Sequence, residues 1–395
     1  VGSDAAETLD GGAGNDVLSG RGGRDLFQFS ARSGYDVITD FNTGGSAPDT
    51  VRLGGYADFT SFAQVKAAMR QVGGDVVLTL DGGNAIQFKN HVVADFKAAQ
   101  FRLGHDDTGL KATFADEFDG LSLWNGVRGA GTSGTWRTDY GWGTTRDALA
   151  SRQLPTDAQI YIDPAMKGAG KKPIGVSPFS IDDGVLTITA SPTPEALKSA
   201  LYNQPTVSGL LTTRESFAQT YGYFEAKIDI PAGSGLWPAF WLGPANGSWP
   251  PEIDIMENYG GASPPVTAHS GTRADHKTSG AEDWDPALAE GAHVWGLSWT
   301  ATELVWYLDD VEIYRTPTPA GMNVPMYLLI NLAVQKGAPV TASGEMMVDW
   351  VRAYQFDDAP TQKLVGTSGN TTFFISDARD TIAENANGGV DLVRA

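Results

Sequence analysis

Apolar and polar positions follow more than one period along this chain. The first period is nine residues. Gly11-Gly12-Ala13-Gly14-Asn15-Asp16-Val17-Leu18-Ser19 is followed by Gly20, Gly22-Gly23, Asp25 and Phe27 in nearly the same places, and Gly2, Glu7 and Leu9 form a worn copy before it. So short a repeat cannot bury a face alone and must stack on its neighbours. The glycines permit tight turns, the apolar eighth position points into a parallel β-roll, and the acidic positions supply hard oxygen ligands. If one turn of the roll spans two repeats, Glu7 and Asp25 face one cation, and Asp16 pairs with Asp36 after a slightly longer step. A flexible Gly/Asp linker is the alternative, and it gives no reason for the phase to persist.

Residues 35–107 read as the cap of such a roll. Short strands are predicted at Asp36–Phe41, Thr50–Leu53, Asp75–Leu80 and Ala85–Phe88. Phe62, Val65, Met69 and Val72 fall at helical spacing, which predicts a helix ending at Gly73-Gly74. From Gly109 to Phe356 the pattern turns to alternation and aromatic clusters. It predicts strands at Val185–Ala190, Tyr223–Ile230, Glu252–Glu257, Val294–Trp299, Glu303–Leu308, Val311–Arg315, Met326–Leu332 and Met346–Tyr354. Asp309-Asp310 reads as a tight hairpin turn. One short helix is predicted at Pro194–Leu201, capped by Thr193. The expected fold is all-β: a parallel β-roll with its cap over 1–108, then a two-sheet antiparallel jelly-roll sandwich over 109–357. Residues 358–395 read as a linker, with Asp380–Glu384 and Gly388–Asp391 opening a further repeat block.

Composition sharpens this division. All 11 tryptophans lie between Trp124 and Trp350. There is no cysteine, which removes disulfides, thiolate metal sites and a cysteine nucleophile. With 47 acidic and 28 basic side chains the net charge is −19, which disfavours nucleic acid and anionic membranes as partners and suits a divalent cation. No apolar run is long enough to span a bilayer. The start at Val1 is read as that of a processed product or an excised fragment, without a signal-peptide pattern. The histidines form no HExxH, and neither a GxSxG elbow nor a nucleotide-binding glycine loop is present.

Chemistry concentrates at Glu252-Ile253-Asp254-Ile255-Met256-Glu257. On a regular strand Glu252 and Asp254 share a face with Glu257 on the other; one inserted residue near Ile255-Met256 brings Glu257 to their side. Two carboxylates about 5.5 Å apart repel by roughly 3 kcal/mol at an effective dielectric near 20, enough to keep one protonated near neutrality. Such a pair serves double displacement at a glycosidic bond, one carboxylate as nucleophile and one carboxylic acid as proton donor. Taken alone, a solvated acidic edge strand fits the pattern better. The aromatic residues nearby change that balance, because aromatic faces stack on the apolar faces of sugar rings. Trp237 is the foremost stacking candidate and Trp249 another, Trp241 is divided between core and cleft, and Phe240 alternates into the core.

Together, Glu252-x-Asp254-x-x-Glu257, Tyr221-Gly222-x-Phe224-Glu225, Leu236–Trp241 and Val348-Asp349-Trp350-Val351-Arg352 resemble glycoside hydrolase family 16 over Phe114–Tyr354. The approach Ser248-Trp249-Pro250-Pro251-Glu252 resembles rhizobial secreted succinoglycan depolymerases within it. The opening repeats resemble the calcium-binding nonapeptides of secreted RTX proteins. The resemblance implies a retaining endo-β-glycanase acting on a glucan or exopolysaccharide, with Glu252 as nucleophile, Glu257 as acid/base and Asp254 tuning the nucleophile. It further implies that His269 lies near the acid/base, that Asn331 lines the cleft, and that a structural calcium sits at Glu117, the Gly184 carbonyl and Asp349. Ca2+ in the roll, a secreted monomer exported by an RTX-type route, and a polysaccharide partner follow from it. Gln335-Lys336-Gly337 departs from the family's glycines after Asn331, which predicts an altered acceptor-side cleft. A non-catalytic glycan-binding protein and an agar-type galactan hydrolase on the same fold are the rival readings. The loops Trp136–Trp142, Ile160–Pro178 and Tyr202–Val207 are expected to set the subsites.

Overall fold

In a computed structural model, residues 1–395 are described except 46, 57, 128–132, 142–144, 232–234, 260–264, 283–290, 339–342, 358–362, 367–371, 376–378, 385–390 and 395. Trp142 and residues 388–390, named above, therefore lie outside the described residues. The chain divides into two compact units, Val1–Thr108 with Tyr307–Ile313, and Gly109–Trp306 with Tyr314–Ala395.

The first unit is a parallel roll. Thr8–Asp10, Leu26–Phe29, Thr50–Leu53 and Phe101–Arg102 form one sheet; Val17–Leu18, Tyr35–Ile38 and Ala85–Phe88 begin the other. Thr8 pairs with Leu26 and Val17 with Val37, so the roll advances by 18 residues on one side and 20 on the other. The eighth-position residues Leu18 and Phe27 are buried, whereas Val17 is exposed. A helix does form, but only over Phe62–Ala68, capped reciprocally by Ser61 and Gln64. Met69–Val72, expected in that helix, is instead a strand paired antiparallel with Asp75–Thr79. Gly73, at φ +63°, makes the turn between them. Apolar spacing of three and four had continued into the strand because its first residue, Met69, fills the same core as Phe62 and Val65.

The second unit is a two-sheet sandwich. One sheet has ten strands, including Val185–Pro192, Gly344–Phe356, Gly222–Asp229 and Ala292–Trp299; the other runs Leu210–Thr212, Met326–Val334, Leu236–Pro244, Glu252–Glu257, Pro265–Gly271, His276–Glu282. Alternate residues of both sheets fill the space between them, among them Phe224, Ile228, Leu297, Phe240, Leu242, Ile253 and Ile330, all fully buried. Asp309 and Asp310 both take positive φ, as a two-residue hairpin turn needs. The helix expected at Pro194–Leu201 is a single 3-10 turn, Glu195–Leu197, and Thr193 makes no cap. The tail repeats the roll's register: Lys363 pairs with Thr381 and Thr372 with Leu392, both parallel, again at steps of 18 and 20.

Candidate active site

The acidic strand lies between Leu236–Pro244 and Pro265–Gly271. Met256 pairs with Phe240 and Asp254 with Trp241, so Ile255 is the extra residue of a β-bulge. The bulge turns Ile253, Ile255 and Met256 into the core and brings Glu252, Asp254 and Glu257 onto one cleft. Trp306 of the opposite sheet donates from Nε1 to the Asp254 carbonyl (2.8 Å), beside the bulge.

Each carboxyl has its own aromatic or imidazole neighbour. Trp237 Nε1 donates to Glu257 Oε1 (2.9 Å) and the Tyr259 hydroxyl to Oε2 (3.1 Å). Trp249 Nε1 donates to Glu252 Oε2 (3.2 Å). His269 Nε2 approaches Asp254 Oδ2 at 2.9 Å and Glu252 Oε1 at 3.6 Å. The first contact is short but off axis, because Asp254 Oδ2 is buried without an aligned hydrogen bond. Glu252, Asp254 and His269 are near enough to hold a metal ion. Contact between imidazole and carboxyl accounts for that grouping without one.

Burial is the first cause of the electrostatics here. It pushes Glu252 and Asp254 well above the usual carboxylate range; Asp254 raises Glu252 further, and Glu257 acts likewise on both. Glu257 is raised by burial too, and its bonds from Trp237 and Tyr259 and the charge of His269 pull it back. Repulsion alone was the sequence-based expectation; desolvation outweighs it because the strand sits at the floor of a cleft.

The other expected site residues divide. Trp237 is partly exposed beside the cleft and packs on Tyr259, ring centroids 4.7 Å apart. Trp241 is 8% exposed, donates to Asn331 Oδ1 (2.8 Å) and lines the cleft together with Asn331. Tyr140, Asp157 and Tyr161 also line the cleft, and no motif announced them. Tyr259 was legible in principle, two residues past Glu257 and so on the same face. At the altered Gln335-Lys336, Gln335 Nε2 donates to the Tyr259 carbonyl (2.6 Å) and Lys336 Nζ to that of Pro155 (3.3 Å).

The acidic positions of the roll form ladders. Asp25 Oδ1 accepts from the Glu7 amide (3.0 Å), Asp49 Oδ1 from that of Asp25 (3.0 Å), and Asp36 Oδ1 from that of Asp16 (2.9 Å). Asp16 Oδ2 and Asp36 Oδ2 are buried without partners, and a Cβ added at Gly11 would meet the Asp16 carboxyl at 2.9 Å. Hard, orphaned oxygens beside side-chain-free turns fit a calcium ion. The set expected at Glu117, Gly184 and Asp349 fares otherwise. Arg352 grips the Glu117 carboxylate through two bonds of 2.9 Å, and Lys227 binds Asp349 at 2.7 Å. Both carboxylates are thus paired with cations of the neighbouring strands, and the Glu117 carbonyl lies 3.6 Å from where a Cβ on Gly184 would stand.

Comparison with known proteins agrees with both halves. Residues 179–352 match the model of glycosyl hydrolases family 16, and residues 1–38 match the RTX calcium-binding nonapeptide repeat. The chain is 44% identical over 332 residues to endo-1,3-1,4-beta-glycanase ExsH of Rhizobium meliloti, covering 82% of this chain and 68% of that protein. Identity to EglC of the same organism, also an endo-1,3-1,4-beta-glycanase, is 41% over 338 residues, 84% and 69% of the two chains. A crystal structure of SCLam, a non-specific endo-beta-1,3(4)-glucanase, shares the fold with a TM-score of 0.50 at 24% identity, over 65% of this chain and 95% of that one. This chain belongs to glycosyl hydrolase family 16 and carries RTX calcium-binding nonapeptide repeats at its start.

Proposed function

We propose that the chain is a secreted endo-β-glucanase that hydrolyses internal β-glucosidic bonds of a β-1,3/1,4-linked glucan or exopolysaccharide with retention of configuration. The observation that carries this reading is the bulge at Ile255, which sets Glu252 and Glu257 on one cleft with different partners. Glu252 Oε attacks the anomeric carbon as the glycosidic C–O bond breaks, and Glu257 passes its proton to the departing oxygen. Water then attacks the glycosyl ester, Glu257 takes the water's proton, and Glu252 leaves as carboxylate. Burial raises Glu257 toward the protonated form that the first half needs and raises Glu252 further; at Glu252 the charge of His269 and the bond from Trp249 oppose it and favour the carboxylate that attacks. Asp254, carrying a proton on its buried carboxyl, is suited to donate it to Glu252 and steady the nucleophile. The linkage is read from the relatives' names, and succinoglycan is the exopolysaccharide that the sequence resemblance suggests.

We assign residues 1–108 to the calcium-binding roll and its cap, 109–357 to the catalytic domain and 358–395 to a linker with a further roll-like block. Calcium in the first of these has a structural role: it offsets the mutual repulsion of the acidic ladders. Replacing Glu252 or Glu257 by Gln is expected to lower hydrolysis by at least a thousandfold with the melting temperature unchanged, measured as reducing ends released. Full activity in either variant would overturn the assignment. Product analysis across laminarin, mixed-linkage glucan, succinoglycan and agar reads the substrate, and cleavage of agar alone would replace the glucanase reading by that of a galactan hydrolase.

A further inference from the structure

His276 lies on His276–Glu282, the edge strand next to Pro265–Gly271, and no sequence motif marks it. Its ring is coplanar with that of His269 to within 6°, and His276 Nε2 is 2.8 Å from His269 Nδ1. Two ring nitrogens at this separation share one proton: two N–H groups, or two bare lone pairs, repel. On its other side His269 Nε2 faces Asp254 Oδ2 at 2.9 Å and Glu252 Oε1 at 3.6 Å. Glu252 accepts as the carboxylate that attacks, and the Asp254 oxygen without a proton accepts in either state, so the Nε2 side of His269 takes its proton and Nδ1 is the bare nitrogen. His276 must then donate from Nε2.

We infer that His276 is a positioning residue, which acts through His269 to hold the imidazole beside Glu252 and Asp254 in its Nε2–H tautomer. His276 is exposed. Trp249, whose ring centroid is 4.9 Å from that of His276 and 6.2 Å from that of His269, flanks both imidazoles and bonds Glu252. Among the described residues, the charged groups near the pair are Glu252, Asp254 and Glu257 of the acidic strand, and in the connecting turn Arg273, stacked over Trp249 at 5.6 Å, and Asp275, paired with Lys277 at 3.2 Å.

The inference rests on the hydrolase reading for its kinetic arm only. His276→Ala removes the donor, and His276→Gln restores a donating N–H without a titrating ring. The Ala variant is expected to lose kcat by about threefold to tenfold, the size of one neutral hydrogen bond, with KM little changed. Gln is expected to return kcat toward the parent value. Nitrogen-15 shifts of the imidazoles in the full chain report the tautomer without any substrate: a bare Nδ1 on His269 in the parent, and a mixed tautomer in the Ala variant. A protonated Nδ1 on His269 in the parent at neutral pH would overturn the inference, as would Ala and Gln variants with equal kcat. Loss of activity in Glu252→Gln and Glu257→Gln tests the hydrolase reading separately, and its failure leaves the nitrogen shifts unaffected.

Discussion

Glu257 carries two hydrogen bonds that act on its charge. Trp237 Nε1 and the Tyr259 hydroxyl both donate to its carboxyl oxygens, and both favour the carboxylate against the burial that raises it. Removing either donor weakens the charged form, so the folded pKa climbs. A proton donor with a higher pKa stays protonated to higher pH. Trp237→Phe is therefore expected to move the alkaline limb of kcat/KM upward by about one pH unit or less, with some loss of rate from the vacated stacking face. Tyr259→Phe should shift the same limb in the same direction. A limb that moves down, or stays in place in both variants, would remove the proton-donor role from Glu257. The residues that announced themselves in the sequence at this scale were charged or aromatic within one contiguous motif. Tyr140, Asp157 and His276 arrive from distant segments, and pairing across the sheet decides their place.

The bulge is the decisive element. Were all six residues to alternate strictly, Met256 would face the cleft and Glu257 would point toward the core. Deletion of Ile255 removes the bulge but leaves Glu252-Ile253-Asp254-Met256-Glu257 alternating with all three carboxyls on the cleft face, so hydrolysis is expected to persist at a reduced rate, with a lower melting temperature because a fully packed residue is lost. Activity as low as that of Glu257→Gln in the folded deletion variant would mean that the bulge sets more than the face on which Glu257 lies. The same scale shows where periodicity misleads. Leu236–Pro244 escaped the strand pattern because Pro238 interrupts it and both faces are covered, so no alternation is visible. Pro265–Gly271 and His276–Glu282 escaped for the opposite reason, since the latter is largely exposed and polar. Met69–Val72 read as helix until the turn at Gly73 folded it back on Asp75–Thr79.

At the scale of the whole molecule, an acidic chain with a net charge of −19 stacks carboxyls on successive turns of its first unit. The unpartnered buried oxygens of Asp16 and Asp36 make that stack costly without a cation. Chelation with EGTA is expected to lower the melting temperature of this unit by several degrees, and added calcium should restore it. Asp36→Asn should blunt that response. With two compact units, calorimetry is the right measurement, because a single midpoint would merge them. Identical melting curves with EGTA and with calcium would remove calcium from the roll. A calcium-free loss confined to the first transition, with hydrolysis retained, would assign the ion to the roll alone.

Local composition by itself determined the nine-residue roll, the all-β sandwich and the three carboxyls, because each is written in short-range spacing: glycine and acid every nine residues, alternation along strands, and ExDxxE beside tryptophans. Tertiary structure alone decided the rest. It enclosed Trp241 by pairing it with Asn331, gave Glu117 and Asp349 to Arg352 and Lys227, and brought His276 against His269. It also made burial, rather than repulsion, the first cause of the raised carboxyl pKa values. Those outcomes depend on which distant groups share a low-dielectric space, and no window of neighbouring residues contains that information.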